Sequence, residues 1–232
     1  MDTLAWLLLA LPLLSAATIH LGLKNLQNVS ALVSTAVAGA ILLITIFLIS
    51  SETTDVSFSW ATLPDIEIEI GLKLDFFAKN MMLVVTGVGF LVHLFSLAYM
   101  KEDSAKARYF GALSLFMFSM TGIVLASNFI MMFVFWELVG LSSFLLIGHW
   151  YEKESAADAA KKAFLTNRIG DFGFMIGILM LWGIAGGTSA ALTFDGISEF
   201  FVGKPEYSPF FLGIAVLLIF MGAMGKSAQA PL

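Results

Sequence analysis

Residues 133–143 read Phe133-Val134-Phe135-Trp136-Glu137-Leu138-Val139-Gly140-Leu141-Ser142-Ser143, an apolar segment that carries one carboxylate. It sits in a longer run, Phe129 to Trp150, with no other Asp, Glu, Lys or Arg. A helix crosses the hydrocarbon of a bilayer in ~20 mostly apolar residues, and this run is long enough. Six more runs read the same way: Leu4 to Leu23, Val29 to Ile49, Phe76 to Met100, Tyr109 to Leu125, Ala163 to Ile184 and Pro209 to Met224. The sequence therefore predicts an all-α polytopic membrane protein with about seven transmembrane helices. Between the fourth and fifth runs only Ser127-Asn128 breaks the pattern, which predicts a tight antiparallel helix pair.

Composition agrees. Charged residues make up 12% of the chain and hydrophobic ones 59%, with a mean hydropathy of +0.92, where a soluble domain carries about a quarter charged residues. The 20 glycines suit close helix packing in lipid. With no Cys and three scattered His (His20, His93, His149), the chain has no ligands for an iron–sulfur cluster or a Cys-bound zinc. No cofactor bound by this chain is expected. Nothing in the sequence resembles a nucleic-acid footprint, and the lipid bilayer is its first expected partner. The N-terminus lacks a basic segment ahead of Leu4 and a clear small-residue cleavage site, and so reads as a retained first span.

Residues 50–75 lie between the second and third runs. Val56, Phe58 and Trp60 alternate with Ser57 and Ser59, and Ile66, Ile68 and Ile70 alternate with Glu67 and Glu69. Period-two alternation around Leu63-Pro64-Asp65 predicts a small β-hairpin outside the membrane. Orientation follows the distribution of basic residues. Lys24, Lys101, Lys106, Arg108, Lys153, Lys161 and Lys162 fall in one set of alternate loops, which predicts that set to be cytoplasmic and the N-terminus to face outward.

An ionisable group at the bilayer centre costs roughly 2.5–3.5 kcal/mol, so each one needs a partner or a task. Glu137 shares a helical stripe with Phe133, Gly140, Phe144 and Gly148, where small residues admit a neighbouring helix. The competing reading is a static packing contact. Lys226 follows an apolar run directly, and Pro231 clashes with the carbonyl of Ser227, so the last helix is expected to break near Lys226–Pro231. The alternative there is a lysine snorkelling from a helix end. Gly225-Lys226-Ser227 mimics the tail of a phosphate-binding loop, but Phe220 stands where that motif requires Gly. Arg168 and Asp171 are three residues apart, close enough to pair on one helix beside Gly170, Gly173 and Gly177. Arg168 keeps its charge and acts as a fixed modulator, whereas Asp171 can titrate; a purely structural pair is the rival reading. His93, in Phe90-Leu91-Val92-His93-Leu94, reads as a packing residue or a proton relay.

Three strings together resemble the antiporter-like subunits of respiratory complex I, chain L type. They are Phe135-Trp136-Glu137-Leu138-Val139-Gly140-Leu141-Ser142-Ser143, Asn167-Arg168-Ile169-Gly170-Asp171-Phe172-Gly173, and Gly225-Lys226-Ser227-Ala228-Gln229. A weaker string runs from Val84 through His93 to Met100. The resemblance implies that Glu137 and Lys226 form a carboxylate–lysine pair whose separation shifts the lysine's proton affinity. At 4 Å and an effective dielectric near 20, two charges interact by about 4 kcal/mol, roughly a thousandfold in affinity. It also implies an integral protein of the bacterial inner membrane, with other membrane-arm subunits as partners. NADH, FMN, iron–sulfur clusters and quinone would be held by those partner subunits. Residues 1–125 would form an N-terminal four-helix segment and 126–232 part of a proton-translocating module. The family continues past Pro231-Leu232 with further helices and usually has an aromatic where Ala230 stands, so the chain reads as truncated. Two rivals are a subunit of a multi-subunit Na+/H+ antiporter or membrane-bound hydrogenase, and an inactive scaffold.

Overall fold

The computed structural model describes residues 2–62, 66–202 and 209–231. Its helices are α1 (Asp2–Leu21), α2 (Gln27–Leu48), α3 (Phe76–Tyr99), α4 (Lys106–Leu125), α5 (Phe129–Ile147), α6 (Glu154–Ile184), α7 (Phe194–Phe201) and α8 (Pro209–Lys226). α1 to α6 are each long and apolar enough to cross a membrane, and α8 is a shorter apolar helix. The seven expected apolar helices are present, and the fold is that of a polytopic membrane protein.

α1, α2 and α4 pack around hydroxyls rather than a purely apolar seam. Ser114 Oγ lies 3.0 Å from Ser15 Oγ and 2.7 Å from Ser34 Oγ, and all three serines are buried. In lipid, apolar surface gives little drive for helices to associate, so small residues and interhelical hydrogen bonds carry that task. A larger apolar core next to them joins Leu8, Ile41, Met82, Leu125 and Phe135.

The expected hairpin is present as β1 (Thr54–Thr62) and β2 (Glu67–Leu74), paired antiparallel with Phe58 opposite Ile70. The expected turn at Leu63-Pro64-Asp65 lies outside the described residues. The register slips between Ser59 and Ala61, which leaves Trp60 without a strand partner. The hairpin does more than cap one end of the helices, because Leu72 and Leu74 at its end are buried in the helix core. It also binds the α4–α5 turn. Ser127 N donates to Gly71 O (3.1 Å), and Asn128 Nδ2 donates to Glu69 O (2.9 Å). Asn128 serves twice, since its Oδ1 also accepts from Met131 N (2.8 Å) and caps α5.

α6 is longer than its apolar run: it begins at Glu154 and carries Lys161 and Lys162 ahead of that run. It stops at Gly186 and Gly187, both at positive φ, a conformation open to glycine at no steric cost. A 3-10 turn (Ala190–Leu192) and α7 follow, with Thr193 Oγ1 accepting from Gly196 N (3.0 Å) to start α7. Lys73 of β2 reaches Asp195 of α7 (Nζ–Oδ1 2.6 Å), and that hydrogen bond holds the lysine above its ordinary value. On the opposite face, Trp150 Nε1 donates to Asp103 Oδ2 (2.8 Å) and His149 Nε2 lies 3.2 Å from the same oxygen. Burial works to raise the Asp103 carboxyl, yet the hydrogen bonds from Trp150, the Ala105 amide and His149 together hold it below the carboxylate norm.

α8 lies along α6 on the expected glycine stripe. A Cβ at Gly177 would fall 2.7 Å from both Ala215 O and Ile219 N, and one at Gly170 would fall 2.9 Å from Met221 O. These are backbone atoms and cannot swing aside. Gly177→Ala is expected to push α8 away and cost roughly 1–3 kcal/mol, the usual range for overpacking. Thermal unfolding in detergent would register this, with Gly183→Ala as control because a Cβ there meets nothing within 4 Å. Because Asp103 is held low, its contribution is complete above about pH 4 and fades as pH falls further. The protection factor of the Ala105 amide, its exchange rate relative to the intrinsic rate at each pH, should fall across that acid range, and Asp103→Asn should abolish that fall.

Candidate proton-handling site

Three helices bring four charges together. α5 supplies Glu137, α6 supplies Arg168 and Asp171, and α8 supplies Lys226 at its last turn. The expected stripe of α5 does face α6: Phe133 packs on Phe174 (5.8 Å) and Phe144 on Phe164 (5.4 Å). Gly140 lies at the centre of this face, where a Cβ would collide with the Arg168 guanidinium and fall 3.0 Å from Lys226 Nζ. Glycine leaves both cations where they are, whereas a larger residue would require their side-chain ends to shift.

The contacts form a line. Arg168 Nη1 pairs with Glu137 Oε2, and Nη2 lies 3.4 Å from the Glu137 carbonyl. The same Nη2 is 3.3 Å from Asp171 Oδ2, the intrahelical pair expected from their spacing. Asp171 Oδ2 is in turn 3.6 Å from Lys226 Nζ. Glu137 and Lys226 are therefore linked through Arg168 and Asp171 rather than in direct contact. Asp171 is 1% exposed, Lys226 17%, Glu137 28% and Arg168 31%. Glu137 and Arg168 border a groove of about 400 Å³ with Phe133, Val134, Leu141 and Phe164. Among the described side chains, Arg168 Nε, Asp171 Oδ2 and Lys226 Nζ are buried without a completed hydrogen bond.

The last helix breaks as expected: α8 ends at Lys226 and Ala228 takes φ 50°. Lys226 thus lies at a helix C-terminus, whose partial negative charge favours a cation. His93 stays apart. It is buried on α3, with Nδ1 2.7 Å from Gly89 O of its own helix and its ring 6.5 Å from Phe110, and it does not touch the charged line.

Sequence reading did not single out two aromatic groups here. The Phe164 ring lies 4.8 Å from the Arg168 guanidinium. Trp136 Nε1 donates to Asp171 Oδ1 (2.8 Å). The signal for Trp136 was available, since a buried indole N–H needs an acceptor and membrane interiors supply few.

Comparison with known proteins gives the family. Residues 126–232 match the membrane-domain family described as NADH:quinone oxidoreductase/Mrp antiporter, and residues 60–110 match the N-terminal family of NADH-ubiquinone oxidoreductase (complex I) chain 5. The chain is 39% identical to NADH-quinone oxidoreductase subunit L of Mycobacterium tuberculosis over 98% of its length, which is 36% of that relative. It is 38% identical to the chloroplastic NAD(P)H-quinone oxidoreductase subunit 5 of Anthoceros angustus, covering 98% of the chain and 33% of that protein. The chain belongs to the complex I antiporter-like subunit family. It spans about a third of the length of these curated relatives. The family fold extends to other complexes. A chain of the Mrp complex from Dietzia sp. superposes with a TM-score of 0.81 at 27% identity, over 98% of this chain and 24% of that one. A chain of an archaeal membrane-bound sulfane sulfur reductase does so at 0.74 and 23%, over 95% of this chain and 44% of that one.

Arg168 is the cation both carboxylates share. Arg168→Gln is expected to cost roughly 1–3 kcal/mol, the range for leaving buried polar partners unmatched, lowering the unfolding midpoint in detergent. Adding Asp171→Asn should recover part of that loss, a coupling a double-mutant cycle measures directly.

Proposed function

We propose that this chain provides the proton-uptake part of an antiporter-like module in the membrane arm of an NADH-quinone oxidoreductase, seated in a bacterial inner membrane with its N-terminus outward. The observation that carries the reading is the line Glu137, Arg168, Asp171, Lys226, alternating in sign and borne by three apolar helices. Movement of α5 against α6 would free Arg168 from Glu137 and hand it to Asp171. Lys226 would then lose its counter-charge and release its proton, and return of Arg168 to Glu137 would let the lysine reload. The energy for such movement would come from electron transfer in partner subunits, which would hold NADH, FMN, iron–sulfur clusters and quinone. This chain supplies no Cys to ligate a cluster.

A second reading has a specific support, the similarity to a chain of an Mrp complex: the same line of charges would then serve exchange of a cation for protons.

The test is the full chain in vesicles loaded with a pH-sensitive dye, under an imposed membrane potential. Glu137→Gln and Lys226→Ala are each expected to lower proton flux about tenfold, the effect of some 1.4 kcal/mol on a barrier. Flux that appears only with sodium on the opposite side would favour the antiport reading. Equal flux in native and substituted chains, or none above empty vesicles, would overturn proton handling and leave a scaffold.

A further inference from the structure

The charged line has a branch point, and one neutral side chain sets it. Asp171 is almost wholly buried, yet its two oxygens have different surroundings. Oδ1 accepts a 2.8 Å hydrogen bond from the Trp136 indole. Oδ2 lies between two cations, 3.3 Å from Arg168 Nη2 and 3.6 Å from Lys226 Nζ, and completes a hydrogen bond with neither.

Trp136 is itself held in place. Its ring meets Phe174 edge to face at 5.2 Å and 73°, and Phe174 is wedged against Phe133 and α8, where a Cβ at Gly222 would fall 2.9 Å from the Phe174 Cβ. These contacts seat the indole against Phe174 of α6, which is itself fixed by α8. The Trp136 ring also lies beneath Lys226, with Nζ 5.9 Å from its centroid, at the outer limit of a cation–π contact.

We infer that Trp136 is a positioning residue that makes Asp171 Oδ2 the switch of the site. By holding Oδ1, it stops the carboxylate from rotating to offer one oxygen to each cation. Arg168 and Lys226 must then compete for a single oxygen, so movement of Arg168 toward Asp171 weakens the hold on Lys226. Without the indole N–H, the freed Oδ1 turns toward Lys226, both cations are satisfied together, and the competition ends. Both carboxylates and both cations keep their positions on the helices, but their coupling is lost. The inference rests on the charge-switching reading above, while the first arm of its test does not depend on it.

That arm uses the full chain in lipid nanodiscs with ¹⁵N-labelled tryptophan, the Trp136 indole resonance being assigned by its loss in Trp136→Phe. Asp171→Asn is expected to shift this resonance, because a neutral amide replaces the charged acceptor, and Arg168→Gln is expected to shift it less. An unmoved resonance in Asp171→Asn would overturn the inference. The second arm measures proton flux in vesicles after replacing Trp136 with its benzothiophene isostere, which keeps ring shape and packing and lacks only the N–H. The expected result is a roughly tenfold loss, in line with removal of a hydrogen bond to a charged group. Full flux in the isostere would overturn the inference. A native chain that carries no flux but whose indole responds to Asp171→Asn would leave the positioning contact standing and bring down the proton reading instead.

Discussion

Charge compensation inside an apolar layer constrains this structure more than any other requirement. Glu137, Arg168, Asp171 and Lys226 sum to zero when all are ionised, and each touches or nearly touches an opposite charge. An isolated ion at membrane depth costs several kcal/mol, and a charge left over from a broken pair costs more than a missing pair. Three helices must therefore approach closely enough for short charged groups to meet. The glycines make that approach possible: Gly140 clears space on α5 for both cations, while Gly170, Gly173 and Gly177 let α8 settle on α6. The glycine stripe and the charges are two halves of one arrangement.

The hairpin holds α5 and the segment after α6 to a common reference. Hydrogen bonds from β2 fix the α4–α5 turn, and therefore the start of the helix that carries Glu137. The same strand holds α7 through Lys73 and Asp195, and Phe129 at the start of α5 packs edge to face on Phe194 at 4.7 Å. α7 lies on the segment that follows α6. Both sides of the Glu137–Arg168 contact are thus tied to the hairpin.

Much of the fold was legible because hydropathy over ~20 residues is a strong signal and each span carries it independently. The hairpin was legible through alternation, although the slip at Trp60 was not, since a bulge leaves the residue types unchanged. α7 was missed because eight residues with a Thr cap fall below any spanning window, and only Thr193 marked its start. At the site, residue type revealed the charges, but their order came from geometry. A carboxylate on α5 and a lysine on α8 invite direct pairing. Arg168 has the longer reach and sits one turn from Asp171 on the helix between them, so it intercepts Glu137. Trp136 escaped notice because an uncharged donor looks like ordinary apolar packing until its acceptor is located.

The line is also graded in access. Glu137 and Arg168 border a groove lined by apolar side chains at about a third exposure, whereas Asp171 is nearly inaccessible. Electrostatic coupling strengthens as the effective dielectric falls. In an apolar layer neither end is screened by bulk water, so a displacement of Arg168 changes the interaction energy at both of its carboxylates. A direct carboxylate–lysine pair would confine that change to one contact. With Arg168 and Asp171 interposed, one guanidinium is shared between Glu137 and Asp171, and Asp171 between Arg168 and Lys226, so the four charges are coupled as a set and none shifts without altering the field at the next.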